Sequence, residues 1–558
     1  MRKSGLVGLA LLALLAVSPA AQAAKAPARS GGSYLVLYKK GASPRAAHRA
    51  IRRSGGRIVQ ENKIVGVALV RARSAGFKGA AARTASVAGV VRNRAIGHVR
   101  DRHKVDVEGA RDARPGTAPP RGRAARDAEP FGPLQWDMQL IGATPDGSYR
   151  FNQSSHAVRV GVIDTGIDGT HPDIKRNFDA RLSRNFTRDD PVIDGPCSAD
   201  IDGSCAPDPP DVDENGHGTH VAGTIGAAIN GLGMAGVAPK ADLINLRAGQ
   251  DSGYFFLIPT VDALTFAANH GVDVVNMSFY IDPWLFNCGH NPADSPAEQR
   301  EQQIIRAATN RALEYADQHN VTLIAAEGNE FTDLGHPTSD DTSPDYPDQE
   351  TSPHHRDIDN SCVSEPSEGP HVINVSSIGR SLRKAFYSNY GVEQTDVAAP
   401  GGDSRDFYGT PLYRVPSATE ILAPYPKNVA LANGDIDDQG NVEPDSQPFV
   451  LKDTKGGKTA YYQYLQGTSM ASPHAVGVAA LIIARHGVRD FRNGGVTMRP
   501  AKVERRLERT ATPHACPAQE PFTYPGEPPE ENATCEGTLA FNGFYGHGIV
   551  NALRAAKH

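Results

Sequence analysis

Three short segments, far apart in the chain, hold the residue types that acyl transfer needs. At 467–474, GTSMASPH puts Ser469 at the mouth of an apolar helical stretch, 475–484. Small residues before it let a substrate backbone approach, and unpaired N–H groups at a helix start face any oxyanion forming there. A serine at a helix start is also an ordinary N-cap, so this segment alone decides little. At 158–168, VRVGVIDTGID reads as a buried parallel strand that delivers Asp164 at its C-terminal end, the edge at which open α/β sheets carry chemistry. At 215–222, NGHGTHVA reads as a loop entering a helix with His217 at its start. In such a set Asp164 fixes the imidazole tautomer, His217 takes the proton from Ser469, and Ser469 attacks a carbonyl carbon.

A fourth segment, TLIAAEGN at 322–329, is an apolar strand ending in Glu327, Gly328 and Asn329. Taken alone, Asn329 is an ordinary turn residue. His217 and His220 lie three apart, whereas a zinc helix of the familiar kind spaces its histidines four apart beside a glutamate. No metal ligand is therefore assigned, and His220 and His474 are expected to be packed helix residues.

The blocks DTGID, GHGTHVAG and GTSMASPHAVG, in the order Asp164, His217, Ser469, resemble the subtilisin-like serine proteases, or subtilases, from about 134 to 556 with insertions. The resemblance implies a serine endopeptidase acting on proteins or peptides, with no cofactor needed for catalysis. It also implies an oxyanion hole made by the Asn329 amide and the Ser469 backbone N–H. Ser278, Tyr280, Glu327 and Gly328 would border the substrate, with Tyr280 in VNMSFY (275–280) standing where the family usually has a glycine and narrowing the primary specificity pocket. INGLGMAG at 229–236 is shorter than the family's calcium-binding loop, so structural calcium is allowed but unassigned.

The rest of the chain divides by composition. Arg2 and Lys3, an apolar stretch at 6–17 and Ala21-Gln22-Ala23 predict a secretory signal peptide over 1–23 and an exported protein without a membrane anchor. Residues 1–126 hold 26 Lys and Arg against 5 Asp and Glu, whereas the remainder holds 32 against 58. A basic half often marks nucleic-acid or membrane binding. Here a β-α-β-β-α-β pattern over 33–100 points instead to a ferredoxin-like α+β propeptide, with a helix at 86–92 and a last strand at 95–99. Subtilases commonly carry such a propeptide as folding aid and inhibitor, so the chain's own propeptide is an expected partner, attracted to the acidic enzyme by charge. The linker 101–130, rich in Arg, Ala, Gly and Pro, is the expected processing site.

From 131 to 558 apolar strands alternate with helical stretches, which predicts an α/β domain with a mainly parallel sheet flanked by helices. A monomer is expected. Six cysteines allow fifteen pairings; proximity favours 197 with 205, 516 with 535 and, by remainder, 288 with 362. An acidic insertion at 189–214 is read as a calcium-binding, substrate-steering or merely solvated loop, and a second insertion at about 403–464 as the rim of the cleft. Two rival functions stay open: a catalytically silent binding protein of the same fold, and a dedicated processing protease for one partner peptide.

Overall fold

The computed structural model describes residues 32–74, 76–93, 129–191, 193–198, 200–346 and 353–558. The expected signal peptide and residues 101–128 of the expected linker lie outside them.

The N-terminal unit is a four-stranded antiparallel sheet of order β2-β3-β1-β4, built from β1 (Gly32–Tyr38), β2 (Gly56–Asn62), β3 (Val67–Ala72) and β4 (Val87–Arg92). Helices α1 (Pro44–Arg53) and α2 (Phe77–Ala82) cover one face, where Val36, Ile51, Val70, Phe77 and Val90 form a small core. The expected helix at 86–92 is in fact β4, and the second helix lies earlier, at the alanine-rich 77–82. Residues 95–99, expected as the last strand, fall outside the described residues. Tertiary pairing explains the difference: β-branched Val87, Val90 and Val91 fit a pleated surface beside β1, and alternation along β4 sends Val90 to this unit's core and Val91 to the opposite face.

The larger unit holds a seven-stranded sheet in which every pairing is parallel. Its strands are β5 (Arg159–Ile163), β6 (Arg184–Asn185), β7 (Asp242–Arg247), β8 (Val274–Met277), β9 (Thr322–Ala326), β10 (Val372–Ile378) and β11 (Val397–Pro400), in the order β11-β10-β9-β8-β5-β7-β6. Both faces are covered, so the strands are apolar on both sides. Val160, Val162, Val274 and Ile324 point to the layer containing α4 (His217–Gly226) and α7 (Thr468–His486). Ile163, Val275, Met277 and Leu323 point to α5 (Leu257–Asn269) and α6 (Pro296–Gln318). A short helix, α3 (Trp136–Ile141), opens this unit, and its Asp137 carboxylate meets the buried His474 ring at 2.9 Å.

The second face of the N-terminal sheet docks on α5 and α6. Leu35, Leu37, Val67 and Val91 join the core containing Val261 and Ile304. Around it, Asn62 Nδ2 donates to Asp262 Oδ1 at 2.8 Å and Thr265 Oγ1 at 2.7 Å, and Arg311 donates to the carbonyls of Tyr38 and Val65 at 3.0 Å each. The contact is therefore apolar at its centre and fixed in register by polar groups at its edge.

The insertion expected only to rim the cleft has a structural role. Strands β12 (Ile421–Tyr425), β13 (Val450–Lys455) and β14 (Lys458–Leu465) form an antiparallel sheet of order β12-β14-β13 packed on α4. His220 of α4 is buried beneath it, its Nε2 facing the carbonyls of Ile421 and Gln463 at 3.1 and 3.2 Å. The three disulfides are Cys197–Cys205, Cys288–Cys362 and Cys516–Cys535. Beside Cys288, the fully buried Arg356 binds Asp294, Asp340 and the Phe286 carbonyl, with its guanidinium 4.8 Å from the Trp284 ring. Replacing it leaves two buried carboxylates without their counter-ion. Arg356→Met is thus expected to cost about 3–5 kcal/mol, read as a lower denaturant midpoint in a Ser469→Ala background.

Candidate active site

Asp164 is the first residue past β5, at the C-terminal edge of the sheet, and it is wholly buried. Its backbone carbonyl accepts the N–H groups of Ala248 and Gly249, both at 3.0 Å, from the end of β7. Oδ1 accepts the Thr165 N–H at 2.7 Å and His217 Nδ1–H at 2.7 Å. Burial pushes the Asp164 carboxyl above the ordinary range, while the His217 ring and the Thr165 N–H pull it back towards the charged form. The pair thus selects the tautomer that carries its proton on Nδ1 and leaves Nε2 as the unprotonated ring nitrogen.

The helix carrying His217 approaches Asp164 closely only because its second residue is glycine. A Cβ at Gly218 would overlap the carbonyl oxygen of Gly166 and lie 3.0 Å from Asp164 Cβ. The loop before this helix is held by Asp213, buried and missed in the sequence reading because it lies within an acidic run. Its Oδ1 accepts the N–H of Asn215 at 3.1 Å and of Gly216 at 2.9 Å, and its Oδ2 accepts the N–H and Oγ1 of Thr219 at 3.0 and 2.6 Å. Thr165 Oγ1 closes the circuit, donating to Asp213 Oδ1 at 3.3 Å and accepting the Gly218 N–H at 3.1 Å. Asp213 thereby ties the neighbour of Asp164 to the first turn of α4.

Ser469 is the second residue of α7, not its cap; Gly467, at φ +150°, is the cap. Pro473 lies four residues on and has no N–H to give the Ser469 carbonyl. Ser278 Oγ supplies the missing donor at 3.3 Å and is itself held by Asn276 Nδ2 at 2.8 Å, with Ser472 Oγ 2.9 Å away. The Ser278 hydroxyl, expected at the substrate, thus completes the backbone bonding of the helix that carries Ser469.

Asn329 follows β9. Its Oδ1 accepts both the Thr468 N–H and Thr468 Oγ1, each at 2.9 Å, and the Gly328 N–H donates to Thr468 Oγ1 at 3.1 Å. Since a backbone N–H only donates, the carboxamide oxygen faces Thr468 and the Nδ2 end is turned the other way. Asn389 holds the same loop, accepting the N–H groups of Glu330 and Thr332 at 3.0 and 2.9 Å. The Glu327 side chain points inward, accepting Thr395 Oγ1 at 2.7 Å, and burial raises its carboxyl well above the ordinary range. Gly328, at φ +114°, contributes backbone only. The Tyr280 ring packs half-buried on the cluster of Leu285, Phe286, Leu334 and Ile358 around the Cys288–Cys362 bridge.

The loop at 229–236 is tied to its surroundings by hydrogen bonds. Asp173 beside it accepts Tyr462 Oη at 2.6 Å, Asn230 Nδ2 at 2.9 Å and the Met234 N–H at 3.3 Å, while Lys455 Nζ donates to the Asn230 carbonyl at 3.0 Å.

Comparison with known proteins shows the family. Residues 155–548 match the subtilase family, peptidase S8. The chain is 26% identical over 400 residues to subtilisin DY of Bacillus licheniformis, covering 72% of this chain and 91% of that one. It is 29% identical over 339 residues to an intracellular serine protease of Paenibacillus polymyxa, covering 60% and 68%. Among solved structures, the epidermin leader peptide processing serine protease of Staphylococcus aureus superposes with a TM-score of 0.60 at 21% identity, covering 94% of this chain and 98% of that one. The chain belongs to the subtilase family and is a serine endopeptidase.

Two expectations follow from the geometry. Asp213→Ala should lower kcat at least about tenfold with little change in KM, because it loosens the His217 turn and no group that binds substrate; Asp213→Asn, keeping an acceptor, should recover part of the loss. Burial first, and then the His217 ring, lowers His220 to about 3. Between its unfolded value of about 6.5 and that value the unfolded chain binds the extra proton, so stability falls as pH drops through this window, by up to about 1.4 kcal/mol per unit. Denaturation curves from pH 7 to 4 should show a shallower slope in His220→Gln.

Proposed function

We propose that the chain is a secreted endopeptidase, made as a self-inhibited precursor, that hydrolyses peptide bonds through Asp164, His217 and Ser469. The observation that carries the reading is the 2.7 Å bond from His217 to a buried carboxylate at the edge of the sheet, next to the helix whose second residue is Ser469. His217 takes the Ser469 proton as the hydroxyl oxygen attacks the substrate carbonyl. Asp164 stabilises the imidazolium that results, which then protonates the leaving amine. The Asn329 amide and the Ser469 N–H hold the oxyanion, and water releases the acyl group by the same path reversed. Tyr280, Gly328 and the backbone at 278–280 line the substrate cleft, Glu327 acting only as a buried support.

The N-terminal unit fits an inhibitor. It seats one whole face on α5 and α6, and the basic segment joining it to the enzyme is the proposed processing site. A processing role on one partner peptide is a second reading, favoured by Tyr280 at a family glycine position and by the Arg356 and Cys288–Cys362 structure that fixes the wall behind it. Cleavage of a random peptide library at many unrelated sites would exclude it.

Labelling with a serine-reactive fluorophosphonate that disappears in Ser469→Ala tests the main reading. The same variant should stay as full-length precursor, whereas maturation at low concentration would refute self-processing. Asn329→Ala should lower kcat about 100- to 1000-fold, the size known for loss of this donor in subtilisin itself, with KM changed little. An unchanged kcat would remove Asn329 from the mechanism.

A further inference from the structure

The end of α7 remote from Ser469 carries a surface that peptide hydrolysis does not use. Just past His486, β15 (Val488–Arg489) and β16 (Val496–Thr497) form a short hairpin. Its turn is fixed by Asp490, whose Oδ1 accepts the N–H groups of Arg492 and Asn493 at 2.7 and 3.2 Å. Phe491 in that turn is 88% exposed and Val488 66%, so an ordered hairpin holds apolar groups out in water. Phe151 belongs to the same end of α7: Lys557 Nζ lies 4.7 Å from its ring, and the Lys557 carbonyl accepts Arg485 Nη2 at 2.8 Å. The Phe491 ring likewise has a cation beside it, the Arg489 guanidinium at 5.4 Å.

The chain then enters α8 (Pro500–Thr510), which is amphipathic. Val503 and Leu507 are buried in the main core, while Lys502, Arg505, Arg506 and Arg509 border an open groove of about 560 Å³ together with Glu508 and His547. Among the described residues none of those four cations is held in an ion pair. His486, at the junction of hairpin and helix, is held below its ordinary value by burial first and then by Arg506, Arg485 and Arg509, as a positive field requires.

Cations alone would suit any polyanion, but Phe491 and Val488 also call for something that covers apolar surface. Aromatic side chains flanked by arginine and lysine suit the boundary between lipid headgroups and acyl chains, and anionic headgroups attract the cations. The rest of the enzyme is acidic, with 32 Lys and Arg against 58 Asp and Glu beyond residue 126, so an anionic surface repels it and selects this end. A rise of about 1.5 Å per residue along α7 puts Ser469 about 25 Å from His486, so contact at this end leaves the substrate cleft uncovered.

We propose that this end of the molecule docks on an anionic lipid bilayer, with Phe491 and Val488 entering the headgroup boundary and Arg485, Arg489, Arg492 and the groove on α8 meeting lipid phosphates. The contact is peripheral, since among the described residues no helix is long and apolar enough to cross a membrane. Its effect is to hold the protease at a membrane surface while the cleft stays open to substrate.

The test uses the full chain carrying Ser469→Ala and vesicles of phosphatidylcholine with or without about 30% phosphatidylglycerol. Phe491→Trp supplies a reporter at the site itself, because Trp136 and Trp284 are buried. Its emission should move to shorter wavelength and escape aqueous quenchers with the anionic vesicles, not with the neutral ones, and about 0.5 M salt should weaken the change. Phe491→Ser, and separately Arg489→Glu with Arg492→Glu, should each weaken vesicle binding at least about fivefold. Neither should alter hydrolysis of a short soluble peptide when Ser469 is restored. No spectral change with anionic vesicles would overturn the proposal, and so would binding undiminished in both variants, which would assign it to the basic N-terminal half. Equal protection of the reporter by soluble polyphosphate would also overturn it, in favour of a polyanion without a bilayer.

Discussion

A carboxylate with no exposed surface is the constraint on which the rest of this structure depends. Asp164 is tolerated in the interior because the His217 ring nitrogen and the Thr165 N–H converge on its Oδ1, and the ring is in place only if α4 stands at one position and angle. The missing side chain of Gly218, the Asp213 circuit and the Thr165 hydroxyl are all means of setting that angle. The cost of burying the charge is offset by the bond that fixes the orientation of the His217 ring.

The same economy appears around Ser469. Proline inside α7 deprives the Ser469 carbonyl of its helical partner, and a serine at the end of β8 makes up the loss. Thr468 consumes the oxygen of Asn329 and so decides which end of the amide is presented. The residues beside the reacting groups thus work mainly on backbone and orientation, and the C-terminal ends of β5, β8 and β9 supply the rigid points from which they do so.

Material added between the shared elements is structural before it is anything else. The β12–β14 sheet roofs α4 and supplies the carbonyls that hold His220. Tyr462 and Lys455 of that sheet donate to Asp173 and to the Asn230 carbonyl. The wall around Arg356 sets one buried guanidinium against two buried carboxylates, and the insertion at 189–214 likewise gathers its acidic groups around the single buried Arg247.

The sequence by itself determined the order and spacing of Asp164, His217, Asn329 and Ser469 and the alternation of apolar strands with helices, and it favoured without fixing the pairing of cysteines close in the chain. These signals are local: they rest on side-chain type, on periods of two or of three to four residues, and on short separations. Tertiary structure alone decided that Val87–Arg92 is a strand, that Glu327 points inward, that the Ser278 hydroxyl serves a helix backbone, and that Asp213 among many aspartates is the one that matters. Each of those outcomes depends on which distant group lies within about 3 Å, the range over which a hydrogen bond or a sheet pairing acts, and no local pattern encodes that distance.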